Sequence, residues 1–214
     1  MRASRFCQTV VLGLLLGGAQ LAHANLLTNG SFEDPAPGVT LSLLKDSTLL
    51  TGWTVINAEI AQLYPGNLGI TASNGQYSLD LTGTHDAAPY GGVRQAITTV
   101  VGAEYKISFD VGARGNGNSK VQVLAGSLNG GQTFSANEPA WSTFNATFTA
   151  SGTSTNIDLI GIEASDNGFY IGLDNVDVTL LRLPPSRVSE PDSLLLVGAG
   201  LLALVGLRRR TPRA

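Results

Sequence analysis

The chain has 214 residues, of which 43% are hydrophobic and only 14% are charged, and it contains a single cysteine, Cys7. Residues 25–188 hold seven Lys and Arg against fourteen Asp and Glu, a net charge of about −7. Such a surface is a poor match for nucleic acid or an anionic membrane, since both attract basic patches. The acidic balance suits solubility and, where carboxylates converge, calcium binding.

The first 24 residues have the three parts of a secretory signal peptide. Two arginines make a basic start, residues 6–18 are almost wholly apolar, and a small-residue cleavage pattern ends at Ala24. We therefore predict that a signal peptidase cuts after Ala24 and that the exported chain begins at Asn25, with a buried N-terminal helix as the alternative. Because Cys7 leaves with this peptide, disulfide and cysteine–metal chemistry are excluded from the exported part.

Seven segments alternate apolar and polar residues, which is the pattern of half-buried β-strands. They are YSLDLTG (77–83), VRQAITT (93–99), EYKISFDV (104–111), KVQVLA (120–125), TFNATFTA (143–150), NIDLIGIEA (156–164) and FYIGLDNVDVTLL (169–181). Turn clusters rich in Gly, Asn and Ser separate them, and no helical period stands out between the two termini. This pattern predicts one all-β domain over residues 25–182, a sandwich or jelly roll, followed by a stiff linker at 183–188.

The last of these segments changes parity part-way along. Ile171 and Leu173 point to one face, whereas Val176 and Val178 have the opposite parity. A strand keeps one face apolar only while its period stays at two, so the register must shift at Asp174-Asn175. We predict a β-bulge there, which either serves a site or simply bends the sheet.

The C-terminal tail, residues 189–214, combines an apolar run with a basic end. Residues 194–207 carry no charge, and Arg208, Arg209 and Arg210 follow at once. Fourteen residues are short for a bilayer, which needs about 20 in a helix, and the arginines would stay on the cytoplasmic side. The tail resembles the PEP-CTERM sorting signal of Gram-negative bacteria, although Ser189 replaces the first proline of the motif.

That resemblance implies a sequence of processing steps. The short helix would hold the chain transiently in the inner membrane, and an exosortase-type sorting peptidase would cut near Glu190 and Pro191. The exported part would then reach the extracellular space or the cell surface. A permanent single-span anchor is the alternative.

Six motifs in order resemble a known class of exported domains. They are NLLTNGSFEDP (25–35), GWTV (52–55), GQYSLDLTG (75–83), GGVRQAITTVVGAEYKISFDV (91–111), WSTFNATFTA (141–150) and YIGLDNVDV (170–178). Together they are similar to galactose-binding-like domains of the choice-of-anchor C type, related to plant cell-wall domains of unknown function (family 642), and more remotely to carbohydrate-binding modules. The resemblance implies a galactose-binding-like jelly-roll β-sandwich, often with a structural calcium, whose first strand, near Leu26–Glu33, neighbours the last, near Tyr170–Leu180.

Oxygen-bearing side chains at the two ends of the domain are candidates for the calcium site. In the modules that this chain resembles, the first and last strands share such an ion, which implies Glu33 and Asp174 as ligands. Asn29 and Asp34 lie in the same NGSFED motif, beside a glycine that permits tight backbone. Calcium takes six to eight oxygens and accepts ligands from separate segments. The alternative is that these are turn residues and solvated carboxylates.

Aromatic residues are the usual platforms for sugars, because pyranose C–H faces stack on rings. Trp53 and Trp141 lie in family motifs, and Tyr77 and Tyr105 share the parity of apolar neighbours, so we predict that all four pack in the core. Five residues are predicted to contact ligand, of which Tyr170 is expected to point outward near the ion: Tyr64, Tyr90, His85, Arg94 and Tyr170.

The sequence favours binding over catalysis. No G-x-S-x-G elbow, H-E-x-x-H helix or P-loop is present, and His85 is the one histidine left after export. Two hypotheses follow. The first is a non-catalytic module that binds extracellular polysaccharide, and the second is a structural matrix protein of the envelope or biofilm that binds no small ligand.

Overall fold

The computed structural model describes residues 24–115, 117–137, 139–164 and 170–185. Within these ranges eleven strands form two antiparallel sheets, and the helical content is one 3₁₀ turn, Asn67–Gly69. The predicted jelly-roll β-sandwich is therefore confirmed. The predicted signal peptide and the tail lie outside the described residues, apart from Ala24. In the described part, no helix has the length and apolar character to cross a membrane.

Each of the seven predicted segments contains a strand, and the four further strands, which were not predicted, have three to five residues each. The six-stranded sheet has the order β1 (Leu41–Leu43), β3 (Ile60–Leu63), β4 (Ser78–Asp80), β11 (Gly172–Arg182), β6 (Glu104–Ala113) and β9 (Ala140–Thr149). The five-stranded sheet has the order β2 (Thr54–Ile56), β5 (Gly92–Thr98), β10 (Ser154–Glu163), β7 (Ser119–Leu124) and β8 (Gln132–Ala136).

The main core lies between the sheets and follows the alternation along the strands. In β6, for example, Tyr105, Ile107, Phe109 and Val111 are all buried in the core. The predictions that Trp53, Tyr77 and Tyr105 pack inward are confirmed, since these side chains are all buried. The indole of Trp53 packs on Phe32 with ring centroids 5.4 Å apart.

The predicted register shift in β11 is confirmed. Pairing between β11 and β6 is interrupted between Asp174 and Asp177, and Asn175 has a φ of 52°. The irregularity lets Leu173 and Val176 both reach the main core despite their opposite parity. It also leaves Asp174 fully buried, on the face of the six-stranded sheet that lies away from the main core.

The prediction of a first strand near Leu26–Glu33 is wrong, but its predicted neighbour is right. Residues 26–33 form bends and turns, and the first strand is β1. The segment nevertheless runs along β11, since Leu26 N donates to Val178 O and Val176 N donates to Gly30 O, both at 2.8 Å. The tight turns at Asn29 and Phe32, whose φ is 56° in each case, prevent a continuous ladder.

Candidate functional site

A cavity of about 310 Å³ lies on the outer face of the six-stranded sheet, the face away from the main core. We call it the Trp141 cavity. Its lining includes Thr71, Gly112, Arg114, Pro139, Trp141 and Tyr170. Loop 69–71 supplies one wall, and the ends of β6 and β9 supply the floor.

Trp141 is held rigidly at the edge of this cavity. It is half-buried, and its Nε1 donates to Thr71 O at 2.7 Å. Gly112 lies opposite it in the β6–β9 pair, and a Cβ at Gly112 would be 2.9 Å from the Trp141 ring and 2.8 Å from the Tyr170 hydroxyl. Only glycine therefore lets the two aromatic side chains approach the sheet this closely. The result is a fixed aromatic surface beside the Arg114 side chain.

The prediction that Trp141 belongs to the core is wrong. In β9 the even positions Phe144 and Phe148 pack against or in the main core, so an odd position points the other way. This parity was available in the sequence, and it is the signal that would have identified Trp141 as a site residue. Trp141 was nevertheless predicted to be in the core because it stands at the start of a strand motif that contains core residues.

The second aromatic residue at the cavity, Tyr170, is buried rather than pointing outward as predicted. Its side chain is 1% exposed and packs with Ala61 and Leu63 in a small cluster. This cluster lies on the side of the six-stranded sheet away from the main core, which is the side toward which Tyr170 was predicted to point. The loop that carries Ile70 covers the cluster, so Tyr170 is not exposed there. Burial raises the pKa of the Tyr170 phenol, as do the nearby Asp80 and Asp174, so the ring is neutral.

Two of the predicted calcium ligands hold the loop that continues from the cavity wall. Glu33 Oε1 accepts hydrogen bonds from the backbone N–H groups of Gln76 and Tyr77, each at 2.8 Å. Asp174 Oδ2 accepts from the N–H groups of Ser73 and Asn74 at 2.8 and 2.9 Å. The carboxylates thus fasten residues 73–77 from two sides, and they fix the position of Thr71 just before them.

Asp174 has a second carboxylate beside it, on the neighbouring strand. Asp110 is its register partner, and the Ser73 hydroxyl lies 2.6 Å from Asp110 Oδ2 and 3.2 Å from Asp174 Oδ2. Burial raises the pKa of Asp174 to about 7, against the opposing effect of its hydrogen bonds from Asn74, Asn175 and Ser73. The desolvation of this carboxylate outweighs the donors that surround it.

The four predicted calcium residues are not assembled as one ligand cluster. Asn29 bonds within its own turn, where its amide donates to Asp34 O and Thr51 O and its carbonyl accepts from Asp34 N. Instead, Glu33 Oε1 and Asp174 Oδ2 accept hydrogen bonds from backbone N–H groups. In the described part of the chain, no group of three or more His, Cys, Asp or Glu side chains is arranged for a metal ion. The shared calcium site stays a prediction, and this geometry does not fit it.

The five predicted ligand-contact residues are spread over several surfaces. Tyr64 is 44% exposed and meets Tyr77 edge-on, with centroids 6.2 Å apart. Tyr90 is partly buried against the main core, and His85 Nδ1 lies 4.0 Å from Glu59 Oε2. Tyr170 alone borders the Trp141 cavity.

Arg94 lies on the opposite side of the sandwich, on the outer face of the five-stranded sheet. Its Nε and Nη2 donate to the two carboxylate oxygens of Asp158 at 2.7 and 2.6 Å. The pair borders a second cavity of about 320 Å³, whose other described lining residues include Asn129, Ser154 and Asn156. The described lining of this cavity is polar and aliphatic and includes no aromatic ring.

A family model described as "Protein of unknown function (DUF642)" matches residues 25–179, well over half of the chain. This chain belongs to that family. The DUF642 domain coincides with the observed sandwich, and the predicted resemblance to family 642 is confirmed. A second model, described as "PEP-CTERM protein-sorting motif", matches residues 187–210. The predicted sorting tail is thereby confirmed as a motif, and it marks the chain as an exported protein.

One curated protein and several solved structures are similar to the DUF642 domain. Halomucin of Haloquadratum walsbyi is 27% identical over 172 residues, which cover 76% of this chain but only 2% of halomucin. The CBM22-1 xylan-binding domain of Paenibacillus barcinonensis Xyn10C is 20% identical with a TM-score of 0.42, covering 67% of this chain and 94% of that one. A family 35 carbohydrate-binding module of Clostridium thermocellum is 10% identical with a TM-score of 0.44, covering 64% and 97%.

Proposed function

We propose that this protein is an exported, non-catalytic carbohydrate-binding module that holds a sugar residue of an extracellular polysaccharide in the Trp141 cavity. The observation that carries the proposal is the fixed, half-buried indole at the edge of a 310 Å³ cavity. Small-ligand sites are typically concave, several hundred Å³ in volume, and lined by aromatic groups with a few polar ones. Here Arg114 and Thr71 supply the polar groups.

The lining chemistry supports binding rather than turnover. An indole offers a large rigid surface for the C–H face of a sugar, and it loses little conformational entropy because its Nε1 is already bonded to Thr71 O. The Arg114 guanidinium offers several donors to sugar hydroxyls. These are groups that orient a ligand, and the volume suits one or two sugar rings.

The sorting motif supports the proposed destination. A signal peptidase would release the chain after Ala24, and segment 194–207 would hold it in the inner membrane until an exosortase-type peptidase cuts near Glu190 and Pro191. The module would then be left at the cell surface or in the exopolysaccharide matrix. Intact-mass analysis of the mature surface protein tests this route, and a retained Ala214 would refute the cleavage.

A glycan array with residues 25–188 tests the binding proposal. The Trp141→Ala variant should lose at least about tenfold in affinity for any glycan that the wild type retains, a change of about 1.4 kcal/mol. Arg114→Gln keeps the Trp141–Thr71 contact and should also weaken binding. Tyr64→Ala is the matched control, since this exposed tyrosine lies outside the cavity.

The array also separates the alternatives. If Tyr64→Ala abolished binding and Trp141→Ala did not, the exposed loop tyrosine would be the platform instead. If the wild type bound no glycan, the structural matrix role would be favoured.

A further inference from the structure

The outermost strand of the six-stranded sheet, β9, is twice as long as any other edge strand of the described sheets. It has ten residues, whereas the edge strands β1, β2 and β8 have three, three and five. Exposed edges invite pairing with another chain, and proteins usually protect them with short strands, bulges, prolines or charged side chains. β9 has none of these protections. Its register with β6 runs through all ten residues without a shift, and its sequence, AWSTFNATFT, contains no charged residue and no proline.

The backbone of β9 presents a row of hydrogen-bonding groups on the side away from β6. Successive residues of a strand direct their N–H and C=O groups alternately to the two sides. Ala150 N donates to Ala103 O, just before β6, whereas both backbone groups of Thr149 bond to Ser127 on the other side. Odd-numbered residues therefore direct these groups outward. In the described part of the chain, four of them have backbone N–H and C=O groups with no hydrogen-bond partner: Trp141, Thr143, Asn145 and Thr147.

A second copy of the same strand can pair with all four residues in one antiparallel register. This register has a two-fold axis at Phe144. It places Trp141 opposite Thr147 of the second copy, and it places Thr143 opposite Asn145 of the second copy. Each of the four outward residues then exchanges two hydrogen bonds with the residue opposite it. Such a contact is closed, because the same surface is used by both copies.

The side chains along β9 are compatible with pairing to themselves. Phe144, which packs partly buried against the main core, would meet its own copy in a pair without mutual hydrogen bonds, the kind that brings side chains closest. On the outer face, polar Thr143 would meet polar Asn145. Pairing about a two-fold axis brings identical side chains near each other, so a charged edge strand would repel its copy. β9 carries no charge, which favours a second copy as its partner.

We propose that this protein forms a two-fold dimer through β9, in which two six-stranded sheets join into one continuous sheet. Opposite residues of paired strands point to the same face, so both Trp141 side chains project from one outer face. They lie six residues apart along the strand, or about 20 Å, and Thr147 of the second copy lies beside each of them. The dimer therefore offers two Trp141 cavities to one polymer, which raises avidity. This consequence rests on the proposed function, whereas the dimer itself does not.

Sedimentation velocity of the full chain over a range of concentrations, in a mild detergent that covers segment 194–207, tests the dimer. The wild type should show a reversible monomer–dimer equilibrium. Asn145→Pro should abolish the dimer, because it removes an outward N–H group, and an edge strand tolerates proline where that group faces solvent. Asn145→Lys should shift the equilibrium toward monomer, because it brings like charges together near the two-fold axis. This second variant keeps the N–H group and stays informative if proline disturbs the fold.

Asn156→Lys is the matched control, the same substitution at an exposed position of β10 in the other sheet. It should sediment as the wild type does. A wild-type chain that is monomeric at every concentration would overturn the proposal. A dimer that survives in both Asn145 variants would overturn it as well, since association would then use another surface. A β9-dependent dimer in a chain that binds no glycan would support this inference and count against the proposed function.

Disulfide cross-linking tests the register. With Cys7 replaced by serine, the chain has no cysteine of its own. A mixture of Thr143→Cys and Asn145→Cys chains should form a mixed disulfide, because opposite hydrogen-bonded residues have Cα atoms about 5.5 Å apart, within the disulfide range. A mixture of Thr143→Cys and Thr147→Cys chains should not, since these positions are two residues out of register. Preferential cross-linking of the second mixture would overturn the register centred on Phe144.

Discussion

Gly30 marks the point where the beginning of the domain meets its last strand, and a single methyl group there should separate them. A Cβ at Gly30 would lie 2.0 Å from the backbone oxygen of Val176 and 3.1 Å from the Asn25 amide. Atoms of the backbone cannot rotate away, so the two segments would have to move apart by at least about 1 Å. Gly30 does not have a positive φ, so alanine can adopt its backbone conformation. The cost of the substitution is therefore steric.

The size of the effect follows from what that movement breaks. The hydrogen bond from Val176 N to Gly30 O, now 2.8 Å long, would be stretched, at a cost of about 1 kcal/mol. Overpacking of a tight contact adds about 1–3 kcal/mol. The free energy of unfolding should therefore fall by about 2–4 kcal/mol in Gly30→Ala. For a domain of this size, each kcal/mol lowers Tm by about 2–4 °C, so the expected shift is roughly 5–15 °C.

Urea denaturation and thermal melting of Gly30→Ala measure this loss. Gly130→Ala is the matched control, because a Cβ at Gly130 has no atom within 4 Å and its φ is not positive. The control should melt within about 2 °C of the wild type, since surface substitutions usually change stability by no more than about 0.5 kcal/mol. If Gly30→Ala were as stable as the control, segment 25–30 would not be packed on β11 as described, and the reasoning would be refuted.

Two further predictions concern charged groups. With a chelator present, stability should fall as the pH rises from about 4 to about 7, by at most about 1.4 kcal/mol per pH unit, because the raised pKa of Asp174 keeps a proton in the folded state that the unfolded state releases. Melting curves should show a smaller slope in Asp174→Asn, above all between about pH 6 and 7, because the raised pKa of Asp80, about 6, gives a slope of the same sign at lower pH; a flat wild-type profile would contradict the buried, desolvated carboxylate. On the other sheet, Arg94→Ala should lower the free energy of unfolding by about 1–3 kcal/mol, because it leaves the mostly buried Asp158 carboxylate without its ion-pair partner. In a urea-denaturation double-mutant cycle, the Arg94→Ala/Asp158→Ala pair should recover part of that loss, and strict additivity would show that the bidentate bond contributes nothing.

The sequence by itself determined the features that depend on near neighbours in the chain. Alternation of period two identified seven strand-bearing segments, because the side-chain direction of a strand is set by its own backbone. The same rule placed the bulge at Asp174-Asn175 and sent Tyr105 to the core. The strand predicted near Leu26–Glu33 does not form, because the turns at Asn29 and Phe32, each with a positive φ, interrupt the extended backbone.

The tertiary structure alone decided which distant residues share a site. Trp141 meets Gly112 and Thr71 only because β9 pairs with β6 and the 69–71 loop folds over that edge. The two carboxylates predicted to share calcium bind backbone N–H groups of a loop between them in sequence, and no local pattern specifies such donors. Asp80 occupies an ordinary polar position in an alternating strand, yet packing of the surrounding segments buries its carboxylate, which accepts a hydrogen bond from the distant Ile171 N–H group. Local patterns set where a side chain points, whereas sheet order and loop packing, which depend on contacts across the whole chain, set what it meets there.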